Sequence, residues 1–111
     1  MRPIPSLLAL AAMLLPVGAA AHSVLRTSVP EAGAVVAGPV TEISLAFADG
    51  MRLTRVEVEG ADGPVRLEIA EPAGTEFVLP AELAAGAYEL RWIGLAADGH
   101  PTKGVFAFEV E

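Results

Sequence analysis

Thr41-Glu42-Ile43-Ser44-Leu45-Ala46-Phe47-Ala48 is the stretch on which the fold turns. Ile43, Leu45 and Phe47 share one parity, while Glu42, Ser44 and small residues share the other. Side chains alternate across a strand, so the pattern is that of a half-buried β-strand. Asp49-Gly50 reads as a turn after it. Met51 to Glu59 reads as a second strand whose phase slips. Met51 and Leu53 lie on one parity, Val56 and Val58 on the other. A β-bulge near Thr54-Arg55 accounts for the slip, because one extra residue inverts the alternation.

The same period recurs on both sides. Ser23 to Val29 is β-prone and ends at Pro30. Glu31-Ala32-Gly33 is a turn, and Val35-Val36 is a short extended piece closed by Gly38-Pro39. Asp62-Gly63 signals a hairpin, followed by alternating Val65, Leu67 and Ile69. Pro72 to Gly74 breaks the pattern before a short strand, Phe77-Val78-Leu79, that stops at Pro80. Glu82 to Gly86 reads as a loop. Tyr88, Leu90 and Trp92 share one face of a strand over Ala87 to Gly94, the Tyr hydroxyl being expected on a backbone group. The last strand, Lys103 to Val110, turns Phe106, Phe108 and Val110 inward. No amphipathic helix of useful length follows residue 22. The expected class is all-β, an antiparallel β-sandwich or barrel with Greek-key, immunoglobulin-like connections.

Composition narrows the function. The chain has 111 residues, 14 acidic against 7 basic, and a net charge of −7. Nucleic acid and anionic membrane surfaces are poor partners for such a chain. There is no cysteine, which excludes disulfides, thiolate metal sites and thiol catalysis. Residues 1–21 read as a cleaved signal peptide. Arg2 is the positive n-region, Ile4 to Val17 the apolar h-region, and Ala19-Ala20-Ala21 the small-residue cleavage site. Prolines at positions 3, 5 and 16 and the lack of a following basic cluster argue against a membrane anchor. One exported domain, residues 22–111, remains.

Both histidines of the chain then fall where chemistry can use them. Cleavage after Ala21 makes His22 the first residue, with an α-amine beside its imidazole. The other, His100, sits in a short acidic turn, Asp98-Gly99-His100-Pro101, two residues from Asp98; that spacing at strand geometry puts both side chains on one face, and Gly99 lets the turn bend. Amine, two imidazoles and a carboxylate form an N₃O donor set. Such a set in tetragonal geometry selects Cu(II), which also tops the divalent affinity order, with zinc second. Cleavage after Ala19 would instead leave His22 third, a local backbone-nitrogen copper site independent of Asp98 and His100. Each motif alone is weak, since Asp-Gly turns are commonplace.

Several stretches together resemble the CopC family of periplasmic copper-binding proteins. They are His22, Pro30-Glu31-Ala32-Gly33, Leu45-Ala46-Phe47, Gly86-Ala87-Tyr88-Glu89-Leu90-Arg91-Trp92, Ala97-Asp98-Gly99-His100-Pro101 and Gly104-Val105-Phe106-Ala107-Phe108. The resemblance implies a cupredoxin-like Greek-key barrel. It implies one Cu(II) per chain on His22, Asp98 and His100, and a non-enzymatic carrier or buffer in copper homeostasis or resistance. An inner-membrane CopD-type transporter is the implied partner, and the protein is expected to be a periplasmic monomer. A second, Cu(I) site in a Met-rich loop does not carry over, because only Met51 remains outside the leader. Met51 is expected to fill space instead. Two other functions compete. An N-terminal histidine chelate also serves lytic polysaccharide monooxygenases, but one Trp and one Tyr on an inward-looking strand offer no sugar platform. A metal-free immunoglobulin-like interaction module would need neither His22 nor Asp98. Glu31 and Asp49 are candidate orienting carboxylates, with exposed loop positions the simpler expectation.

Overall fold

The computed structural model describes residues 24–111. Seven strands make up this part: β1 (Leu25–Val29), β2 (Val35–Val36), β3 (Val40–Gly60), β4 (Gly63–Arg66), β5 (Ala73–Leu83), β6 (Gly86–Ala96) and β7 (Pro101–Val110). The hydrogen-bonded order is β1-β3-β6-β7-β2, with β4 and β5 also on β3. The class is therefore all-β, as its alternation demands. One pair departs from antiparallel: β2 runs parallel to the end of β7, with Val35 opposite Glu109 and Val36 opposite Val110.

β3 organises everything else. Along one edge it pairs first with β5 and then with β4; along the other it pairs first with β1 and then with β6. Asp49-Gly50 is thus not a turn. The strand passes through it without a break, and the pairing with β5 merely shifts register between Ala46 and Met51. A turn signal is overridden here because hydrogen-bond partners wait on both sides of the crossing. The expected bulge is present: Leu53 faces Gly94 and Arg55 faces Ile93, leaving Thr54 as the extra residue. Its hydroxyl donates to the Ile93 carbonyl at 3.0 Å. The slip lets Met51, Leu53, Val56 and Val58 all be buried.

Three other expectations need correcting. The loop at Glu82 to Gly86 shrinks to Ala84-Ala85, since β5 runs to Leu83 and β6 starts at Gly86. β5 also continues through Gly74 and Pro80. Among the described strands it pairs only with β3, so Pro80 sits on an edge strand, where its missing N–H is tolerated. The hairpin after Gly60 uses Ala61-Asp62 as its loop, with Gly60 opposite Gly63, and Val65 is exposed while Leu67 is buried.

The core gathers the inward parity of every long strand. Ile43, Leu45 and Phe47 of β3 are at most 2 % exposed. The Phe47 ring meets Trp92 edge-on at 4.9 Å between centroids, and Phe77 at 5.7 Å. Tyr88 is half-buried, stacks on Phe108 at 5.8 Å and donates its hydroxyl to the Ala84 carbonyl at 2.8 Å. Gly104 lies directly under the Trp92 indole. A Cβ placed there would come within 2.6 Å of Nε1 and 2.7 Å of Cε2.

Two stability predictions follow from that packing. Gly104→Ala forces a methyl against a rigid buried ring, and should cost about 1–3 kcal/mol, read as a lower denaturant midpoint with an unchanged m-value. Phe47→Ala removes the ring shared by β3, β5 and β6, and should cost about 3–5 kcal/mol in the same titration. An unchanged midpoint for either variant would contradict the packing described.

Candidate metal centre

β6 and β7 are joined by the four residues Ala97 to His100, with Leu95 opposite Pro101 as the last ladder pair. The Gly99 N–H donates to the Ala96 carbonyl at 2.8 Å, and the Ala96 N–H donates to the His100 carbonyl at 2.9 Å. Gly99 has φ of +90°, a left-handed conformation that glycine adopts without steric cost. Asp98 and His100 therefore lie in a turn, as the sequence indicates, and their side chains meet through the turn and not through strand geometry. What brings them together is a closed ring of hydrogen bonds. The His100 backbone N–H donates to Asp98 Oδ1 at 3.0 Å, and His100 Nδ1 lies 2.9 Å from Asp98 Oδ2.

That pairing sets the chemistry. The two bonds from His100, the backbone one first, hold the Asp98 carboxyl below its ordinary range. An ionised carboxylate only accepts hydrogen bonds, so the proton on the neutral imidazole belongs on Nδ1 and the Nε2 lone pair is left for another partner. A ring fixed by a carboxylate in this way is the usual arrangement of a metal-bound histidine. The carboxylate keeps lone pairs beyond the two already engaged. Both side chains are well exposed, at 67 % for Asp98 and 82 % for His100.

His22 lies outside the described residues. The position of its neighbour Val24 is nevertheless informative. The Ala48 N–H donates to the Val24 carbonyl at 2.9 Å, and Leu25 pairs with Phe47. On the same edge of β3, Met51 pairs with Ala96, the last residue of β6. The start of β1 and the end of β6 thus converge head-on along one strand edge, only Asp49 and Gly50 intervening on β3. Two residues upstream of Val24 span at most about 7 Å. Among the described residues alone, no three His, Asp or Glu side chains form a cluster that could hold a metal ion. Glu31 and Asp49 are both exposed, the simpler of their two expected roles. Met51 is 4 % exposed, packed against Gly94, and is a core residue as expected.

The spacing of Asp98 and His100 pointed to the pair but not to its form. The carboxylate-to-backbone bond is an Asx-type turn signal, and Asp-Gly-His-Pro carried it all along. Nothing in the sequence indicated that Nδ1 would be engaged and Nε2 left open.

Residues 25–111 match the sequence profile described as the CopC domain. A protein named copper resistance protein C from Escherichia coli is 33 % identical over 107 residues, covering 84 % of this chain and 84 % of that protein. Another of that name from Xanthomonas campestris pv. juglandis is 32 % identical over 114 residues, covering 91 % and 89 %. Among solved structures, CopC from Methylosinus trichosporium OB3b superposes with a TM-score of 0.67 at 28 % identity, over 81 % of this chain and 94 % of that one. PcoC, described as a methionine-rich copper resistance protein from Escherichia coli, gives a TM-score of 0.57 at 28 % identity, over 78 % and 96 %. On these similarities, which span almost every described strand, the chain belongs to the CopC family.

Proposed function

We propose that this chain is an exported copper-binding protein that carries or buffers one Cu(II) ion in the periplasm. Residues 1–21 act as a signal peptide removed after Ala21, leaving residues 22–111 as the working domain. The Cu(II) cargo is held by the amine and imidazole of His22, by the Asp98 carboxylate and by the His100 imidazole, whose Nδ1 must swing off the carboxylate for both to reach one ion. The observation that supports this reading most is the convergence of the start of β1 with the Asp98–His100 turn on one edge of β3. The donor set suits Cu(II), being nitrogen-rich with one carboxylate and no sulfur. The names of the relatives, copper resistance proteins, favour a binding protein over a monooxygenase and over a metal-free module. A soft Cu(I) site of the kind a methionine-rich relative could build is not proposed, since Met51 is buried and alone outside the leader. A CopD-type membrane transporter as acceptor, and a monomeric state, belong to the same reading.

The test is a competitive Cu(II) titration of protein isolated from the periplasm, with its intact mass measured on the same sample. A mass starting at His22 and tight one-to-one binding are expected. An added residue ahead of His22, or His100→Ala, should weaken binding by at least about tenfold to hundredfold, the loss common when even an orienting partner is removed. Equal binding by the extended protein would overturn the terminal chelate and favour a local peptide site.

Acidification gives a second test. The Asp98 carboxyl has its pKa lowered in the fold. The stability it contributes is therefore present above the ordinary carboxylate pKa and is lost only as pH falls through the depressed value. Imidazoles and the amine take up protons at higher pH than a carboxylate, so they govern metal release. Asp98→Asn should lower the affinity, and because a weaker complex loses its metal at higher pH, the midpoint of copper release should rise while the steepness of the release curve stays unchanged. A flatter release curve with this substitution would show that protonation of Asp98 itself drives release.

A further inference from the structure

Among the described residues, β1 has a strand neighbour on one side only. Its partner is β3, and among the described residues no backbone bond joins it to β7. β7 is covered on its outer side from Ala107 onward, by Gly33 to Val36. Its first half, Pro101 to Phe106, has no such cover among the described residues. Between these two free edges lies a cleft of about 1020 Å³. Its floor is apolar, formed by Leu25, Trp92 and Phe106, with the exposed Val105 at its rim.

Two further observations bear on the cleft. The Trp92 indole is 2 % exposed, yet its N–H has no hydrogen-bond acceptor among the described residues. Its Nε1 lies over Gly104, in the β7 wall of the cleft. Buried donors without an acceptor are rare and costly, so the indole N–H is a sensitive reporter of any movement of the β7 wall. The charge is also out of keeping with the rest of the surface. Three of the chain's 7 Lys and Arg residues line the cleft, against two of its 14 Asp and Glu. Arg91 is held by Glu59 and Glu89, but Arg26 and Lys103 are exposed and make no ion pair among the described residues.

We propose that the cleft between β1 and the first half of β7 docks an extended, acidic segment of a partner protein, taken up as an added strand. The segment's backbone meets the free edges, its apolar side chains fill the floor, and its carboxylates meet Arg26 and Lys103. Strand addition of this kind takes affinity from main-chain bonds and specificity from alternate side chains. A second copy of this chain is a poor occupant, because two net-acidic molecules repel. None of the Asp98–His100 turn lines the cleft, and docking needs no metal.

The test is a titration of ¹⁵N-labelled protein with two blocked peptides, one alternating valine with glutamate and the other alternating valine with lysine. It is run with and without Cu(II). The glutamate peptide should shift the amides of Leu25 to Ser28 and Thr102 to Phe106, together with the Trp92 indole N–H, in the metal-free protein as well as the loaded one. Arg26→Glu with Lys103→Glu, both exposed, should weaken this binding by about tenfold or more and leave the melting temperature unchanged. Equal response to the lysine peptide, shifts elsewhere, or no response at millimolar peptide would overturn the proposal. It would fall equally if raising the protein concentration alone moved these signals, or if retaining residues 1–21 did. Those outcomes would assign the cleft to a second copy or to the chain's own leader. Failure of copper binding with peptide binding intact would sink the copper reading and leave this one standing.

Discussion

The edge-to-face contact between Phe47 and Trp92 is the interaction on which the rest depends. Phe47 ends the first half of β3, which pairs with β1 and β5. Trp92 sits on β6, which pairs with the second half. The two rings therefore hold the two halves of one strand's neighbourhood face to face. Aromatic pairs at this separation contribute about 0.5–1.5 kcal/mol beyond the area they bury. The larger gain is the area itself, since both rings are at most 2 % exposed. Gly104 is part of the same arrangement, because any side chain there would push the indole off Phe47.

The candidate metal centre inherits its position from this packing and its shape from a turn. Asp98 and His100 carry no core role; both point into solvent. Their geometry relative to each other is fixed locally, by bonds from His100 to the Asp98 carboxylate. Their geometry relative to Val24 is fixed globally, by register along β3. With this division, Asp98 and His100 can exchange hydrogen-bond partners without disturbing the core.

Much of this was legible in the residues. The alternation of Ile43, Leu45 and Phe47 and the phase slip at Thr54 are encoded by burial alone, and burial decides register in a sheet with one face covered. The Asp-Gly-His turn was visible both as a turn and as a pair, but its closed ring of hydrogen bonds was not, because spacing alone does not give side-chain orientation. Asp49-Gly50 was misread as a turn. Its composition favours a turn, yet β3 is committed on either side of it, and pairing outweighs local preference. The parallel docking of Val35-Val36 and the cleft beside β1 left no trace in composition, since both arise from contacts between segments distant in the chain.

The continuity of β3 has a consequence for how the molecule comes apart. A strand of 21 residues that pairs with β1, β4, β5 and β6 leaves no boundary at which the protein can be divided. Neither side of Asp49-Gly50 has a complete set of neighbours, so a chain nicked there would have no half able to stand alone. Opening should be all-or-none for this reason, in the sense that applies to small single domains. Its formation should also be slow for its size, because four of the six pairings among the described strands join segments distant in the chain. The proposed copper ligands, drawn from the two ends of the proposed domain, would then exist as a set only in molecules that have folded completely.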